Sequence, residues 1–172
     1  VNRQELEDQI LPARPRENTC DDYQRTYSYF PAVGKPIIGA INGASIGLGM
    51  IISLYCDIRI ASDEARFGTA FAQRGLIAEY GISWLLPRLV GLSNALDLLY
   101  SARVIDAQEA LRMGLVSRVV PASELASEAG KYARLLATSV SPRSLRVIKK
   151  QVYEGMLGGL GEAIDAANEE MW

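Results

Sequence analysis

The stretch from Lys35 to Ala61 narrows the possible folds more than any other part of the chain. Pro36-Ile37-Ile38-Gly39-Ala40-Ile41 is a short apolar run opened by proline and closed by Asn42-Gly43, which reads as a buried strand ending in a turn. Gly47 to Tyr55 is apolar on nearly every side, which suits a helix sunk in the core rather than lying on it. Asp57-Ile58-Arg59-Ile60-Ala61 then alternates polar and apolar residues and reads as a second strand. Strand, tight turn, buried helix and strand make a βαβ unit, and a crossover of that kind implies a parallel sheet.

The flanks have a different texture. Residues 1–34 are polar, carry Pro12, Pro15 and Pro31 and the run Arg14-Pro15-Arg16-Glu17-Asn18, and are expected to form a long excursion, helical in part at Asp21 to Tyr29. Downstream the pattern turns helical. Helices are expected at Gly81 to Leu89, interrupted by Pro87, at Ser93 to Ser101, and at Asp106 to Met113, which starts at a good N-cap and stops at Gly114. Leu115-Val116-Ser117-Arg118-Val119-Val120 reads as one more strand, closed by Pro121, and Ser123 to Ala137, Pro142 to Tyr153 and Glu162 to Trp172 as amphipathic helices. The expected organisation is an α/β chain with an excursion at 1–34, a core at 35–121 and a helical region at 122–172.

Composition removes several kinds of chemistry. The 172 residues include no histidine, so a Ser-His-Asp triad, a Cys-His pair and any His-ligated zinc or haem site are excluded within one chain. Cys20 and Cys56 are too few for a metal cluster or a disulfide framework, which leaves no metal site expected and a reducing, cytoplasmic setting. With 18 Lys+Arg against 20 Asp+Glu the chain lacks the basic footprint of a nucleic-acid binder. No apolar run reaches the roughly 18 residues of a membrane span, and the polar start Val1-Asn2-Arg3-Gln4-Glu5 does not lead into a secretory apolar region.

Two segments remain in which chemistry can sit. Asn42-Gly43-Ala44-Ser45-Ile46-Gly47-Leu48-Gly49 lies where a helix begins, and the unbonded N–H groups of a helix start receive an anion or a developing oxyanion without any charged side chain. Glycines on both sides of Leu48 let a carbonyl oxygen approach the backbone, although close helix–strand packing would explain them as well. The dinucleotide-binding pattern fails, since Ile52 stands where its third glycine belongs. The second segment is Gly75-Leu76-Ile77-Ala78-Glu79-Tyr80-Gly81, with one carboxylate among apolar neighbours. Burial there would raise its pKa toward the range of a general acid/base, while a plain electrostatic role at the following helix start is the alternative. Trp84 and Tyr80 either line an apolar pocket or belong to the core. Asp57 reads as a turn or buried hydrogen-bonding carboxylate rather than a catalyst, and the stripe Arg143, Arg146, Lys149, Lys150 as a solvated face rather than a phosphate site.

These segments, in this order, resemble the enoyl-CoA hydratase/isomerase (crotonase) family. The resemblance rests on Lys35-Pro36-Ile37-Ile38-Gly39-Ala40-Ile41-Asn42-Gly43, Gly47-Leu48-Gly49, Cys56-Asp57-Ile58-Arg59-Ile60-Ala61, Phe67-Gly68 and Gly75-Leu76-Ile77-Ala78-Glu79. It continues through Leu86-Pro87-Arg88-Leu89-Val90-Gly91 and Ala107-Gln108-Glu109-Ala110-Leu111-Arg112-Met113-Gly114-Leu115-Val116. It implies a ββα superhelical core with a helical C-terminal region, a chain beginning after the first strands of that fold and stopping before its last helix, and assembly into homotrimers or dimers of trimers. It further implies an acyl-CoA thioester as substrate, with coenzyme A as part of that substrate and no separate cofactor.

The family holds a thioester enolate on two backbone N–H groups, one of which matches Leu48, flanked by Gly47 and Gly49. The other belongs to an earlier pattern like Phe-Ser-Ala-Gly-Ala-Asp-Leu, which this sequence does not contain. Hydratases of the family use two glutamates, and the matching positions here are Ile51 and Phe71, which with Tyr80 and Trp84 are expected to line the substrate pocket. Glu79 matches the single catalytic carboxylate of the family's isomerases, so the resemblance favours double-bond isomerisation over hydration. The competing expectation is a catalytically silent acyl-CoA-binding or assembly subunit. A serine hydrolase using Ser45 is disfavoured because no histidine is present to activate it.

Overall fold

A computed structural model describes residues 20–171. Two short sheets organise them. β1 (Ile38–Ile41), β3 (Ile58–Ser62) and β6 (Arg118–Val120) form the first, parallel throughout and in the order β1-β3-β6. β2 (Ala44–Ile46), β4 (Arg66–Gly68) and β5 (Ile105–Asp106) form the second, with β2 and β4 parallel and β5 antiparallel to β4. The chain gives one strand to each sheet, passes through helix α1 (Leu48–Tyr55), and then does the same again with β3 and β4.

The βαβ reading of Pro36 to Ala61 therefore holds, in the register Ile38 to Ile58 and Ile41 to Ala61. Between turn and helix, however, the structure inserts β2. Three residues are too few to show a period of two, so Ala44-Ser45-Ile46 carries no legible strand signal. The same shortness hid β4 and β5, and only Arg118–Val120 of the expected strand from Leu115 pairs. Leu115 and Val116 are instead buried in the core.

Packing follows from composition. Met50, Ile51, Leu54 and Tyr55 of α1 are all buried, and Ile60, Ala61 and Ser62 of β3 have no appreciable exposure. Packing is close at Gly39, where a Cβ would lie 3.1 Å from Cys56 Sγ and press that side chain aside. Buried polar side chains of the sheets are bonded, Ser62 Oγ donating to the Asn42 carbonyl and Thr69 Oγ1 to that of Leu98, whereas the buried Tyr23 hydroxyl has no partner among the described residues. Helices α2 (Ile82–Val90) and α3 (Leu92–Ser101) follow, with Pro87 inside α2 and the break between them at Gly91, whose φ is +79°. α4 (Ala107–Arg112) begins at Asp106, whose carboxylate accepts from the Glu109 N–H as the sequence suggested.

The helical region comprises α5 (Leu125–Ser139), α6 (Pro142–Gly155) and α7 (Leu160–Glu170). Asp57 ties α6 to the first sheet: its carboxylate accepts from the Ile37 N–H at 2.7 Å, Lys149 Nζ at 2.8 Å and the Tyr153 hydroxyl at 2.8 Å. Asp57 is thus the hydrogen-bonding carboxylate expected. The basic stripe differs from expectation at Lys149, which is buried rather than solvated, while Arg143 and Lys150 both pair with Glu170. Asp21–Gln24 forms a single 3₁₀ turn rather than a helix reaching Tyr29, and beyond it Tyr27 and Phe30 pack against the core. The run Arg14 to Asn18 and the end of the expected helix at Trp172 lie outside the described residues.

Candidate active site

The start of α1 carries the first half of the site. Gly47 is its N-cap, with φ 58° and ψ −119°, the mirror image of extended backbone and a conformation open to glycine. Its N–H donates to the Gly68 carbonyl at 2.9 Å and its carbonyl accepts from Ile51, so the turn is pinned to β4 on one side and to the helix on the other. Among the described residues no side chain caps the helix. Among the described residues the amides of Leu48, Gly49 and Met50 have no hydrogen-bond partner, and they point out of a helix end bearing roughly half a positive charge.

The packing explanation for the two glycines does not survive the geometry. A Cβ at Gly49 would meet nothing within 4 Å, and one at Gly47 only the Thr69 carbonyl at 4.0 Å. Space beside these amides is open, and the Leu48 side chain is itself exposed. Helix α1 is braced from beneath by Ser45, whose Oγ lies 2.8 Å from Ser53 Oγ, while Ser53 donates to the Gly49 carbonyl. At its other end the buried Arg59 donates to the Leu54, Cys56 and Leu115 carbonyls. A cation there complements the negative end of the helix, although burial pulls the guanidinium pKa below its ordinary value.

The second half of the site is the turn Glu79-Tyr80-Gly81. Tyr80 has φ +51° and Gly81 φ +78°, two successive left-handed residues of which the first is not glycine. The Ile82 N–H donates to the Glu79 carbonyl at 3.1 Å, which closes the turn directly before α2. The expected apolar cage around Glu79 is not there: Leu76 is 48% and Ile77 79% exposed, and Glu79 itself is half-buried. Leu76 and Ile77 face outward along an open loop, while Ala78 packs against the core. The Glu79 carboxylate makes no hydrogen bond or ion pair among the described residues, and it does not cap α2.

The remaining expected residues divide into two groups. Ile51 and Phe71 are fully embedded in the core cluster, so the two positions where the resemblance places hydratase glutamates hold buried hydrocarbon. Trp84 is half-buried against that core, with the Arg88 guanidinium 3.8 Å from its ring centre, and Tyr80 is 42% exposed. Sequence reasoning missed Tyr55. This buried side chain at the end of α1 donates its hydroxyl to the Tyr80 carbonyl at 2.9 Å, joining the helix of the free amides to the Glu79 turn. A separate cleft of about 600 Å³ lies between β1, α5 and α6, bordered by Lys35, Arg143 and Arg146. Among the described residues no group of acidic, cysteine or histidine side chains has metal-binding geometry, and no helix is long and apolar enough to cross a membrane.

Comparison with known proteins adds a common pattern. A sequence model described as enoyl-CoA hydratase/isomerase matches residues 5–170. A crotonyl-CoA hydratase of Syntrophomonas wolfei is 39% identical over 142 residues, which is 82% of this chain and 54% of that protein. Among solved structures, an enoyl-CoA hydratase from Mycobacterium marinum is 49% identical with TM-score 0.68, covering 73% of this chain and 63% of that one. A monofunctional enoyl-CoA isomerase from M. smegmatis is 36% identical with TM-score 0.73, covering 80% and 64%. The chain spans about half the length of the curated relatives it matches.

Proposed function

The chain belongs to the enoyl-CoA hydratase/isomerase family, and on that premise we propose that it carries the proton-transfer half of an acyl-CoA site which moves a double bond within a thioester. The observation that supports this most directly is the pairing of bare amides at Leu48 and Gly49 with one unpartnered carboxylate, Glu79, on a turn fastened to the same helix. The thioester oxygen would sit against the Leu48 amide, between Gly47 and Gly49. Glu79 would remove a proton from C2 of a 3-enoyl thioester, the C2–H electrons passing into an enolate held by backbone N–H groups. The same carboxyl group would return the proton to C4, so that the double bond moves from C3=C4 to C2=C3 and the base is regenerated.

Hydration asks for a water to be activated and a proton to be delivered to carbon, work usually divided between two groups. Ile51 and Phe71 supply neither, which favours the one-base reaction. In this reading Tyr80 and Trp84 line the acyl pocket, Ile51 and Phe71 belong to the core, and coenzyme A enters only as part of the substrate. The working form is a cytoplasmic homotrimer or dimer of trimers, for which the exposed Val152, Leu160 and Ile164 offer apolar surface.

The test is Glu79→Gln in the complete protein, assayed with 3-enoyl-CoA and 2-enoyl-CoA. Loss of isomerisation by about a hundredfold or more is expected, the scale of a general acid/base. Unchanged turnover of both substrates would remove Glu79 from the mechanism. The buried hydrocarbon at Ile51 and Phe71 also suits a second reading, a silent acyl-CoA-binding subunit. That reading requires thioester binding with no exchange of the C2 proton in deuterated water.

A further inference from the structure

We propose that Tyr55 is the positioning residue of the Glu79 turn, its buried hydroxyl setting where the carboxylate stands relative to the free amides of α1. This rests on the reading of Glu79 as the proton carrier. Tyr55 is 7% exposed, its ring packs on Phe30 with centroids 5.8 Å apart, and it closes the same helix whose first residues offer the amides. An eight-residue helix is a rigid rod about 12 Å long, so an element fastened at one end is held at a set distance from the other.

The fastening is specific. The Tyr55 hydroxyl donates to the carbonyl of Tyr80, the residue directly after Glu79, at 2.9 Å. A left-handed non-glycine residue persists only where its surroundings over-determine it, at a cost that relaxation would recover. At Tyr80 two contacts hold it: the hydroxyl on its carbonyl, and the Tyr27 ring standing edge-on to its own at 5.2 Å. On the far side Gly81 leaves room for the hydroxyl, since a Cβ there would lie 2.9 Å from it. Apart from these contacts the segment from Gly75 to Tyr80 is largely exposed. Ala78 packs on the core and the Glu79 carbonyl accepts from the buried Ile82, so Tyr55 fixes the Tyr80 side of the turn, and the carboxylate is placed through the turn.

Removing the hydroxyl should leave a folded enzyme that binds its thioester and transfers the proton poorly. A displacement of about 1 Å in a reacting group costs up to a hundredfold; because Tyr27 still holds the turn, Tyr55→Phe is expected to lower kcat for 3-enoyl-CoA isomerisation about tenfold, with KM within twofold. The experiment uses the complete protein and C2-deuterated substrate. In Tyr55→Phe the deuterium isotope effect on kcat rises, because proton transfer becomes slower than product release, whereas a partly unfolded sample loses rate with its isotope effect unchanged. The double variant Tyr55→Phe/Glu79→Gln is no slower than Glu79→Gln alone, since a residue acting through Glu79 has nothing left to position.

An equal loss from Tyr55→Phe in both backgrounds, or a kcat like that of the unaltered protein while Glu79→Gln is inactive, overturns the positioning role and leaves the Glu79 reading standing. Full activity of Glu79→Gln overturns both. If Tyr55→Phe does not fold, Gly81→Ala crowds the same hydroxyl and also strains the left-handed turn itself. It must reproduce the loss in kcat, the raised isotope effect and the non-additivity with Glu79→Gln, or the inference fails.

Discussion

Replacing Lys149 by methionine should destabilise the chain far more than a typical lysine substitution. Lys149 Nζ lies 2.8 Å from Asp57 Oδ2 and 3.2 Å from the Lys35 carbonyl, and the two charged side chains are only 7% and 16% exposed. At that depth solvent screens little. The methionine fills the space of the alkyl stem but leaves the Asp57 carboxylate with the Ile37 N–H and the Tyr153 hydroxyl as hydrogen-bond partners and the Arg59 guanidinium as the remaining nearby cation. Breaking a buried pair by removing one partner costs about 3–5 kcal/mol. For a chain of this size each kcal/mol lowers Tm by about 2–4 °C, so a fall of roughly 6–20 °C is expected. Equilibrium urea unfolding gives the free energy, and the double variant Asp57→Asn/Lys149→Met gives the control. With both charges gone, the double variant should be more stable than Lys149→Met alone. A loss below about 1 kcal/mol for Lys149→Met, or a double variant as unstable as the sum of the singles, would refute the claim that an unpaired charge is the cause.

Leu48→Pro deletes one N–H at the first helical position, where proline is well tolerated, and Gly47 before it has mirror-image extended backbone rather than the α conformation that proline disfavours. On the proposed isomerase reading turnover should fall by about a hundredfold or more with Tm nearly unchanged, and full activity would show that the Leu48 amide holds no oxyanion. Alkaline pH should unfold the protein in a defined window. Burial raises the Cys56 thiol above its ordinary 9.0 and the Tyr55 hydroxyl above 10.0, while burial and nearby acidic groups push Tyr23 to about 12. A raised folded pKa contributes stability that is complete below the unfolded pKa and lost as pH rises through the folded one. Urea midpoints should therefore be insensitive to these groups below pH 9 and fall from there toward pH 12, and Cys56→Ala should delay the onset. A midpoint that stays level to pH 11 would contradict the burial argument.

What the sequence disclosed about the fold depended on element length and burial. Pro36 to Ala61 was legible because a four-residue apolar strand, an apolar helix and an alternating strand each exceed the window that a period needs. β2, β4 and β5 were not, since two or three residues carry no period and their pairing is set by tertiary register. The helical region was readable from amphipathic spacing and caps, Pro142 after Ser141 above all, whose Oγ accepts from the Ser144 N–H. Lys149 was misread as solvated for a physical reason: a helical face shows which residues lie together, not what lies opposite, and only the fold brings Asp57 across to meet it.

The same asymmetry governs the candidate site. Groups acting through the backbone, Gly47 and the Leu48 amide, could be found from glycine placement because a helix start exposes its N–H groups whatever side chain it carries. The Glu79 carboxylate could be found as an isolated acid in an apolar stretch, but its surroundings were misjudged. Leu76 and Ile77 face outward, so no apolar cage surrounds it. On the proposed reading its place is set by the left-handed turn at Tyr80 and by Tyr55, which stands 24 positions before Glu79 and looks in the sequence like one more core aromatic. A buried tyrosine needs a partner for its hydroxyl, and here the partner is the backbone of the one loop that carries the acid. Core and site are therefore not separable along α1. Its first turn presents the amides, Ile51 in its middle is buried in the core, and its last residue holds the turn that carries Glu79, the proposed proton carrier.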